Sequence, residues 1–239
     1  MKLALKPWRA FCEDMVYSRN DSNIIVSYPK SGRTWHRALV GLYLAHAYSL
    51  DARECLDTRY ASQAAGLTST SYSHNGANFL HGTDPDHFLN ANGLLWWGRN
   101  VLLLVRDPRA ILVSGFHHMS SRSRRFNGTL SEFIRGPHTG VEKILIAYNR
   151  WHMLSKKTRR FAVQSYEGMH ANPRSSLCDV LEFIGVSQIN EAAVDQALIL
   201  THLESLRKLE QEGYFKHKSL NYRSGKPNGQ KVRDGKIDG

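Results

Sequence analysis

Apolar residues along the chain follow two kinds of pattern, and the two kinds alternate. Short runs of consecutive aliphatic or β-branched residues at 24–27, 101–105 and 161–165 predict buried strands. Longer segments with apolar residues every three or four positions predict helices, at 34–48, 110–119, 140–154, 173–184 and 191–212. Strands that alternate with helices indicate an α/β fold. We expect a single domain over 1–239 with a mostly parallel central sheet flanked by helices.

Two segments carry little pattern. Residues 49–100 are rich in Ser, Gly, Asn and Asp and predict at most a short helix at 84–90. The segment 213–239 combines glycines with basic residues and cannot build a core. We expect it either to close as a loop over an anion or to be partly disordered.

Composition excludes several classes of protein. Of the 239 residues, 41% are hydrophobic and 22% charged, which is typical of a globular chain rather than a disordered one. No apolar run is long enough for a membrane helix. The three cysteines, Cys12, Cys55 and Cys178, lie far apart and favour a reducing compartment, so we expect a cytoplasmic protein. The net charge of +11 predicts an anionic partner without naming it.

The first candidate for such a partner is the loop between the strand at 24–27 and the next helix, Tyr-Pro-Lys-Ser-Gly-Arg-Thr-Trp at 28–35. A loop here aims backbone N–H groups and a helix dipole at one point, and Lys30 adds a cation. It is not a Walker A loop, because Pro29 stands where glycine must precede the lysine. The alternative is a plain connecting turn with a helix cap.

The second candidate follows the strand at 101–105. Arg106 stands at the carboxyl end of a central strand, where open α/β sheets bind ligands, and Ser114 lies two turns along the following helix. A guanidinium and a hydroxyl suit a second phosphate. Alternatively, this strand is a degenerate Walker B element in which Asp107 holds Mg²⁺.

Together these elements resemble the sulfotransferases that use 3′-phosphoadenosine 5′-phosphosulfate (PAPS). The family loop Y-P-K-S-G-T-T-W corresponds to Y-P-K-S-G-R-T-W at 28–35, and R-(N/D)-P-(R/K)-D-x-x-x-S to R-D-P-R-A-I-L-V-S at 106–114. Segments at 165–186, 201–210 and 232–239 resemble three further family blocks in the same order. The matches extend over residues 24–239, which is nearly the whole chain.

The resemblance implies a P-loop-like phosphosulfate-binding loop and a role for each matched residue. Lys30, Ser31, Gly32, Arg33 and Thr34 would hold the 5′-phosphosulfate, and Trp35 would stack on the adenine. Arg106 and Ser114 would bind the 3′-phosphate, Tyr166 and Thr201 would line the adenine site, and Arg233 and Gly235 would close on the 3′-phosphate. The implied product is 3′,5′-adenosine bisphosphate (PAP).

Sulfuryl transfer resembles phosphoryl transfer, with an in-line, loose transition state. Lys30 is placed to stabilise the leaving bridging oxygen, and the lower charge of a sulfuryl group reduces the need for a metal, so we expect none. A histidine is the expected base for the acceptor proton. His74 in Ser73-His74-Asn75 is the first candidate and His81 the second; Asn75 replaces an aspartate of many relatives.

Some positions depart from the family pattern. Arg33 replaces a threonine, Leu203 replaces an aromatic residue of the adenine site, and Asp234 places a negative charge beside a predicted phosphate. The chain ends at Gly239, where the family tryptophan would follow, a pattern that fits a truncated chain.

The resemblance implies a small-molecule acceptor with a hydroxyl or amine, and no nucleic acid or membrane as partner. The alternatives are a P-loop kinase or nucleotidase that uses Mg-ATP, a basic nucleic-acid-binding protein, and a catalytically degenerate nucleotide-binding member. The sequence predicts neither the identity of the acceptor nor the oligomeric state.

Overall fold

The computed structural model describes residues 22–75, 77, 79, 96–220 and 232. In this part of the chain, four strands form one sheet in the order β2-β1-β3-β4. They are β1 (Asn23–Ser27), β2 (Thr70–Ser73), β3 (Asn100–Val105) and β4 (Arg160–Ser165). The strands predicted at 24–27, 101–105 and 161–165 are thereby confirmed to within one residue, and the predicted α/β fold is confirmed.

Nine α-helices lie in the described part of the chain. They are α1 (Arg33–Ala47), α2 (Thr58–Ala64), α3 (Pro108–His117), α4 (Leu130–Arg135), α5 (Val141–Ser155), α6 (Tyr166–Ala171), α7 (Pro173–Ile184), α8 (Glu191–Thr201) and α9 (Leu203–Gln211). A π-helical turn at His118–Arg122 continues α3, and a short 3-10 helix spans Lys218–Leu220. The helix predicted at 84–90 lies outside the described residues.

One predicted helix is wrong in its length. The single helix expected over 191–212 is divided at His202, whose extended ψ of 145° ends α8 and begins α9. The hydroxyl of Thr201 donates to the carbonyl of Ala197 at 2.6 Å. Such bonds to the preceding turn are associated with bent helices, so the break has a local cause that periodicity does not register.

The chain divides into two compact units. The first contains the described residues up to Ser31 together with Ser71–Gln164, and the second contains Gly32–Thr70 and the described residues from Ser165 onward. The expectation of one domain over 1–239 stays a prediction.

The first unit contains most of the sheet. β1 pairs in parallel with β3, and the register runs from Asn23 opposite Asn100 to Ser27 opposite Leu104. Every residue of β1 is buried, which agrees with its continuous apolar run. Helices α3 and α5 pack against each other in this unit, and its core includes Val26, Leu103 and Trp151.

The second unit is helical, and α1 packs along α8 within it. The hydroxyl of Tyr43 on α1 accepts a hydrogen bond from the Asn190 N–H at 3.1 Å. Gly41 allows α1 to approach the chain at Cys55 closely, because a Cβ at position 41 would lie 2.3 Å from the Cys55 carbonyl oxygen. Burial raises the pKa of the Cys55 thiol to about 12, so this cysteine is an inert core residue. Among the described helices, none has the length and apolar character needed to cross a membrane.

Candidate functional site

The loop after β1 begins with a tight turn that carries Lys30. The Ser31 N–H donates to the Tyr28 carbonyl at 3.3 Å, with Pro29 and Lys30 between them. Proline at the second position and a positive φ at the third are the pattern of a type II turn. Lys30 has a φ of 76°, a left-handed conformation that a side chain other than glycine rarely adopts. Strained backbone of this kind is typical of functional sites.

Ser31 carries a buried polar atom that the protein does not satisfy. The residue has no exposed surface, and its Oγ has no hydrogen-bond partner in the described chain. A buried hydroxyl of this kind costs free energy unless something binds it. Ser31 is therefore suited to an oxyanion that reaches the loop.

Arg106, at the end of β3, contacts the same loop. Its Nη1 donates to the Lys30 carbonyl oxygen at 3.2 Å, and the residue is 8% exposed. The structure therefore brings together Lys30 and Arg106, which the sequence placed in separate motifs. Ser114 lies on α3 and is also nearly buried.

Tyr148 of α5 holds the backbone of Arg106. The Tyr148 hydroxyl accepts from the Arg106 N–H at 3.0 Å and donates to the Arg106 carbonyl at 2.9 Å. The sequence pattern does not identify Tyr148, because helical spacing does not distinguish a tyrosine that packs in the core from one whose hydroxyl holds a strand end.

His74 follows β2 and lies at the same edge of the sheet. Its Nδ1 is 2.6 Å from the carbonyl oxygen of Ser27, the last residue of β1. A carbonyl oxygen can only accept, so Nδ1 carries the hydrogen and Nε2 carries the lone pair of the neutral ring. An imidazole held in this tautomer can act as a base at Nε2. The alternative base, His81, lies outside the described residues.

In the second unit, the loop continues as the N-terminus of α1. Gly32 caps the helix with a φ of 87°, and its carbonyl accepts from the His36 N–H. Arg33, Thr34 and Trp35 form the first turn, which contains no acidic residue. A helix N-terminus free of carboxylates is favourable for an anion.

Three aromatic rings cluster beside this turn. Trp35 lies 6.0 Å from the Tyr166 ring and 4.6 Å from the His170 ring, centroid to centroid. His170 was not predicted from the sequence, although it stands one helical turn after Tyr166. Thr201 of the same unit is buried, and its hydroxyl donates to the α8 backbone. Arg233 and Gly235 lie outside the described residues.

Asp107, the Mg²⁺ ligand of the kinase interpretation, is the N-cap residue of α3. Its carboxylate caps α3 by accepting from the Arg109 N–H at 2.8 Å, and it pairs with the Arg109 guanidinium at 2.6 Å. The Arg109 side chain, by donating to it, holds the pKa of Asp107 below its ordinary value. Within the described residues no cluster of three or more metal-ligating side chains occurs.

Comparison with known proteins decides the family. A family profile described as "Sulfotransferase domain" matches residues 20–238. The chain belongs to the sulfotransferase family. The resemblance drawn from the motifs is thereby confirmed.

Several named sulfotransferases are similar to the chain in sequence. Luciferin sulfotransferase of Photinus pyralis is 25% identical over 82% of this chain and 59% of its own length. Amine sulfotransferase of Oryctolagus cuniculus is 21% identical over 82% of this chain and 66% of its own length. 3-beta-hydroxysteroid sulfotransferase of Cavia porcellus is 21% identical over 84% of this chain and 71% of its own length. The chain thus spans less than two thirds of the first two relatives.

Solved sulfotransferase-fold structures agree with the observed architecture. Retinol dehydratase, in complex with androsterone and PAP, superposes with a TM-score of 0.60 at 16% identity, over 95% of this chain and 78% of its own. A mouse sulfotransferase in complex with PAP gives a TM-score of 0.51 at 17% identity, over 83% of this chain and 73% of its own. These similarities establish the fold shared by this sulfotransferase-family chain.

Proposed function

We propose that this protein transfers a sulfuryl group from PAPS to a hydroxyl or amine of a small molecule. The observation that carries the proposal is that the Arg106 guanidinium donates to the backbone carbonyl of Lys30, next to the unsatisfied buried hydroxyl of Ser31, at the carboxyl ends of β1 and β3. This donor set fits the two anionic groups of PAPS. Family membership and the PAP bound to similar structures support the choice of nucleotide.

Within the first unit, Lys30 and Ser31 would bind the phosphosulfate end, and Arg106 and Ser114 the 3′-phosphate. Within the second, Gly32, Arg33 and Thr34 would add the helix N-terminus, and Trp35, Tyr166 and Thr201 the adenine contacts. Arg233 and Gly235 would contribute from the C-terminal segment. These roles rest on the resemblance and are proposals residue by residue.

When bound, PAPS supplies a sulfuryl group joined to phosphate through a bridging oxygen. Lys30 stabilises negative charge as it develops on that oxygen, and such electrostatic stabilisation is commonly the largest catalytic contribution. His74 takes the acceptor proton at Nε2, while its Nδ1–H continues to donate to Ser27 and so stabilises the imidazolium. We propose that the reaction uses no metal ion, in agreement with the capping role of Asp107.

The test is an assay of PAP release from PAPS, with and without EDTA, over phenols, aliphatic alcohols and amines. The names of similar proteins, which include amine and steroid sulfotransferases, justify this panel. Lys30→Met should lower turnover about a hundredfold or more, whereas Lys157→Met, an exposed lysine beyond α5, should leave it unchanged. Acceptor-independent release, or none with any acceptor, would contradict the proposal. We propose a cytoplasmic location on the evidence of the cysteines alone.

A further inference from the structure

Three residues of the first unit form a continuous chain of hydrogen bonds. The Tyr148 hydroxyl contacts both the N–H and the carbonyl of Arg106, and the Arg106 guanidinium donates to the Lys30 carbonyl. The chain thus begins on α5, passes through the end of β3 and ends in the turn after β1.

The end of this chain is the strained residue. The left-handed backbone of Lys30, with its φ of 76°, requires compensation from its surroundings. The turn itself supplies one bond, from Ser31 N–H to Tyr28, and Arg106 supplies another at the Lys30 carbonyl. A charged donor makes the stronger kind of hydrogen bond.

Tyr148, the first residue of this hydrogen-bond series, holds Arg106 in one orientation. A single hydroxyl that binds both polar groups of one residue fixes the rotation of its peptide units. The Tyr148 ring lies beside the buried Trp151 ring, with centroids 6.2 Å apart. Burial, and after it the charge of Tyr148, raise the pKa of the Tyr28 hydroxyl.

We propose that Tyr148 is a positioning residue of the nucleotide site, which orients Arg106 and, through Arg106, the Lys30 turn. The proposal rests on the proposed function for the identity of the nucleotide. It implies that the 3′-phosphate contact and the position of Lys30 are coupled, because Arg106 takes part in both.

The test compares Tyr148→Phe, Arg106→Ala and the double variant by calorimetric titration with PAP and with 5′-AMP. The control is Tyr43→Phe, which removes a buried hydroxyl that also accepts a backbone N–H, at α1 instead of α5. Tyr148→Phe should weaken PAP binding about tenfold and 5′-AMP binding much less, as expected when a charged contact is misplaced. In the Arg106→Ala background, Tyr148→Phe should weaken PAP binding very little further.

Amide hydrogen exchange at Arg106, measured without nucleotide, supplies the second readout. The Arg106 amide should be protected in the wild type and in Tyr43→Phe, and should exchange faster in Tyr148→Phe. Rapid exchange in the wild type, an unchanged preference for PAP in Tyr148→Phe, or losses that add in the double variant would overturn the proposal. If wild type does not distinguish PAP from 5′-AMP, the proposed function fails, and exchange at Arg106 still decides whether Tyr148 holds the strand end.

Discussion

Gly32 approaches Tyr166 so closely that a Cβ at position 32 would lie 2.3 Å from Cδ2 of the tyrosine ring. The same glycine has a φ of 87° at the N-cap of α1. Two separate physical requirements therefore select glycine at this point in the loop. One is the left-handed backbone, and the other is the space taken by an aromatic ring.

Gly32→Ala tests both requirements together. We expect the free energy of unfolding to fall by about 3 kcal/mol, from left-handed strain plus displacement of Tyr166, and PAP binding to weaken. Gly66→Ala is the matched control, because Gly66 has a φ of 71° with nothing near its missing Cβ. It should cost only about 1 kcal/mol. Equal losses in chemical denaturation would show that contact with Tyr166 is unimportant.

His74→Asn separates proton transfer from structure. The asparagine amide can still donate toward the Ser27 carbonyl but cannot take a proton. We expect turnover to fall about a hundredfold to ten-thousandfold, with PAP affinity nearly unchanged. The measurement is steady-state kinetics beside calorimetry. Turnover that stays near wild type would assign the base to another residue, and His81→Asn would be the next variant.

Asp107 distinguishes the sulfotransferase from the kinase interpretation. Asparagine is as good an N-cap as aspartate, so Asp107→Asn should keep stability and turnover. Asp107→Ala removes the cap on α3 and should lower the free energy of unfolding by about 1 kcal/mol. A loss of activity in Asp107→Asn that depends on Mg²⁺ would instead support a metal-binding carboxylate.

Lys143 makes stability depend on pH above neutrality. Burial lowers the pKa of its ammonium to about 8, below the value of the unfolded chain. Below about pH 8 Lys143 is protonated in both the folded and the unfolded state, and the folded state bears the full free-energy cost of burying the ammonium. This cost disappears as pH rises from about 8 to 10.5. The stability of wild type relative to Lys143→Met should therefore rise across this interval, by about 2 kcal/mol after allowance for solvent screening.

Lys216 provides a control of opposite sign for that titration. A hydrogen bond from its ammonium to Glu54 raises the pKa of Lys216. Its contribution to stability is complete below the unfolded pKa and is lost as pH rises through the folded one. Unfolding curves should show that wild type keeps its advantage over Lys216→Met up to about pH 10.5 and loses it above that pH. A decrease with pH in the stability of wild type relative to Lys143→Met would contradict the burial argument.

The sequence predicted the regular elements of the fold because their apolar periodicity is strong. β1, β3, α5 and α7 appear within one or two residues of their expected bounds. The missed elements are short, and packing rather than periodicity determines them. Helix α4 did carry a local signal, a capping box between Thr129 and Glu132, in which each side chain bonds the other's backbone.

The motifs predicted which residues belong to the candidate site, but not how they contact one another. Lys30 and Arg106 were assigned to separate anions, and their hydrogen bond depends on the parallel register of β1 and β3. The tautomer of His74 depends on Ser27, 47 positions earlier in the chain. Tyr148 lies outside the matched segments, and the contacts that distinguish it depend on its three-dimensional neighbours.

The most direct test of the account is calorimetric titration of the protein with PAP, 5′-AMP and Mg-ATP, the first two in the presence of EDTA. We predict metal-independent binding of PAP, at least about tenfold weaker binding of 5′-AMP, and loss of that difference in Arg106→Ala. Equal affinity for PAP and 5′-AMP, or a preference for Mg-ATP, would contradict the assignment of a PAPS-dependent sulfotransferase.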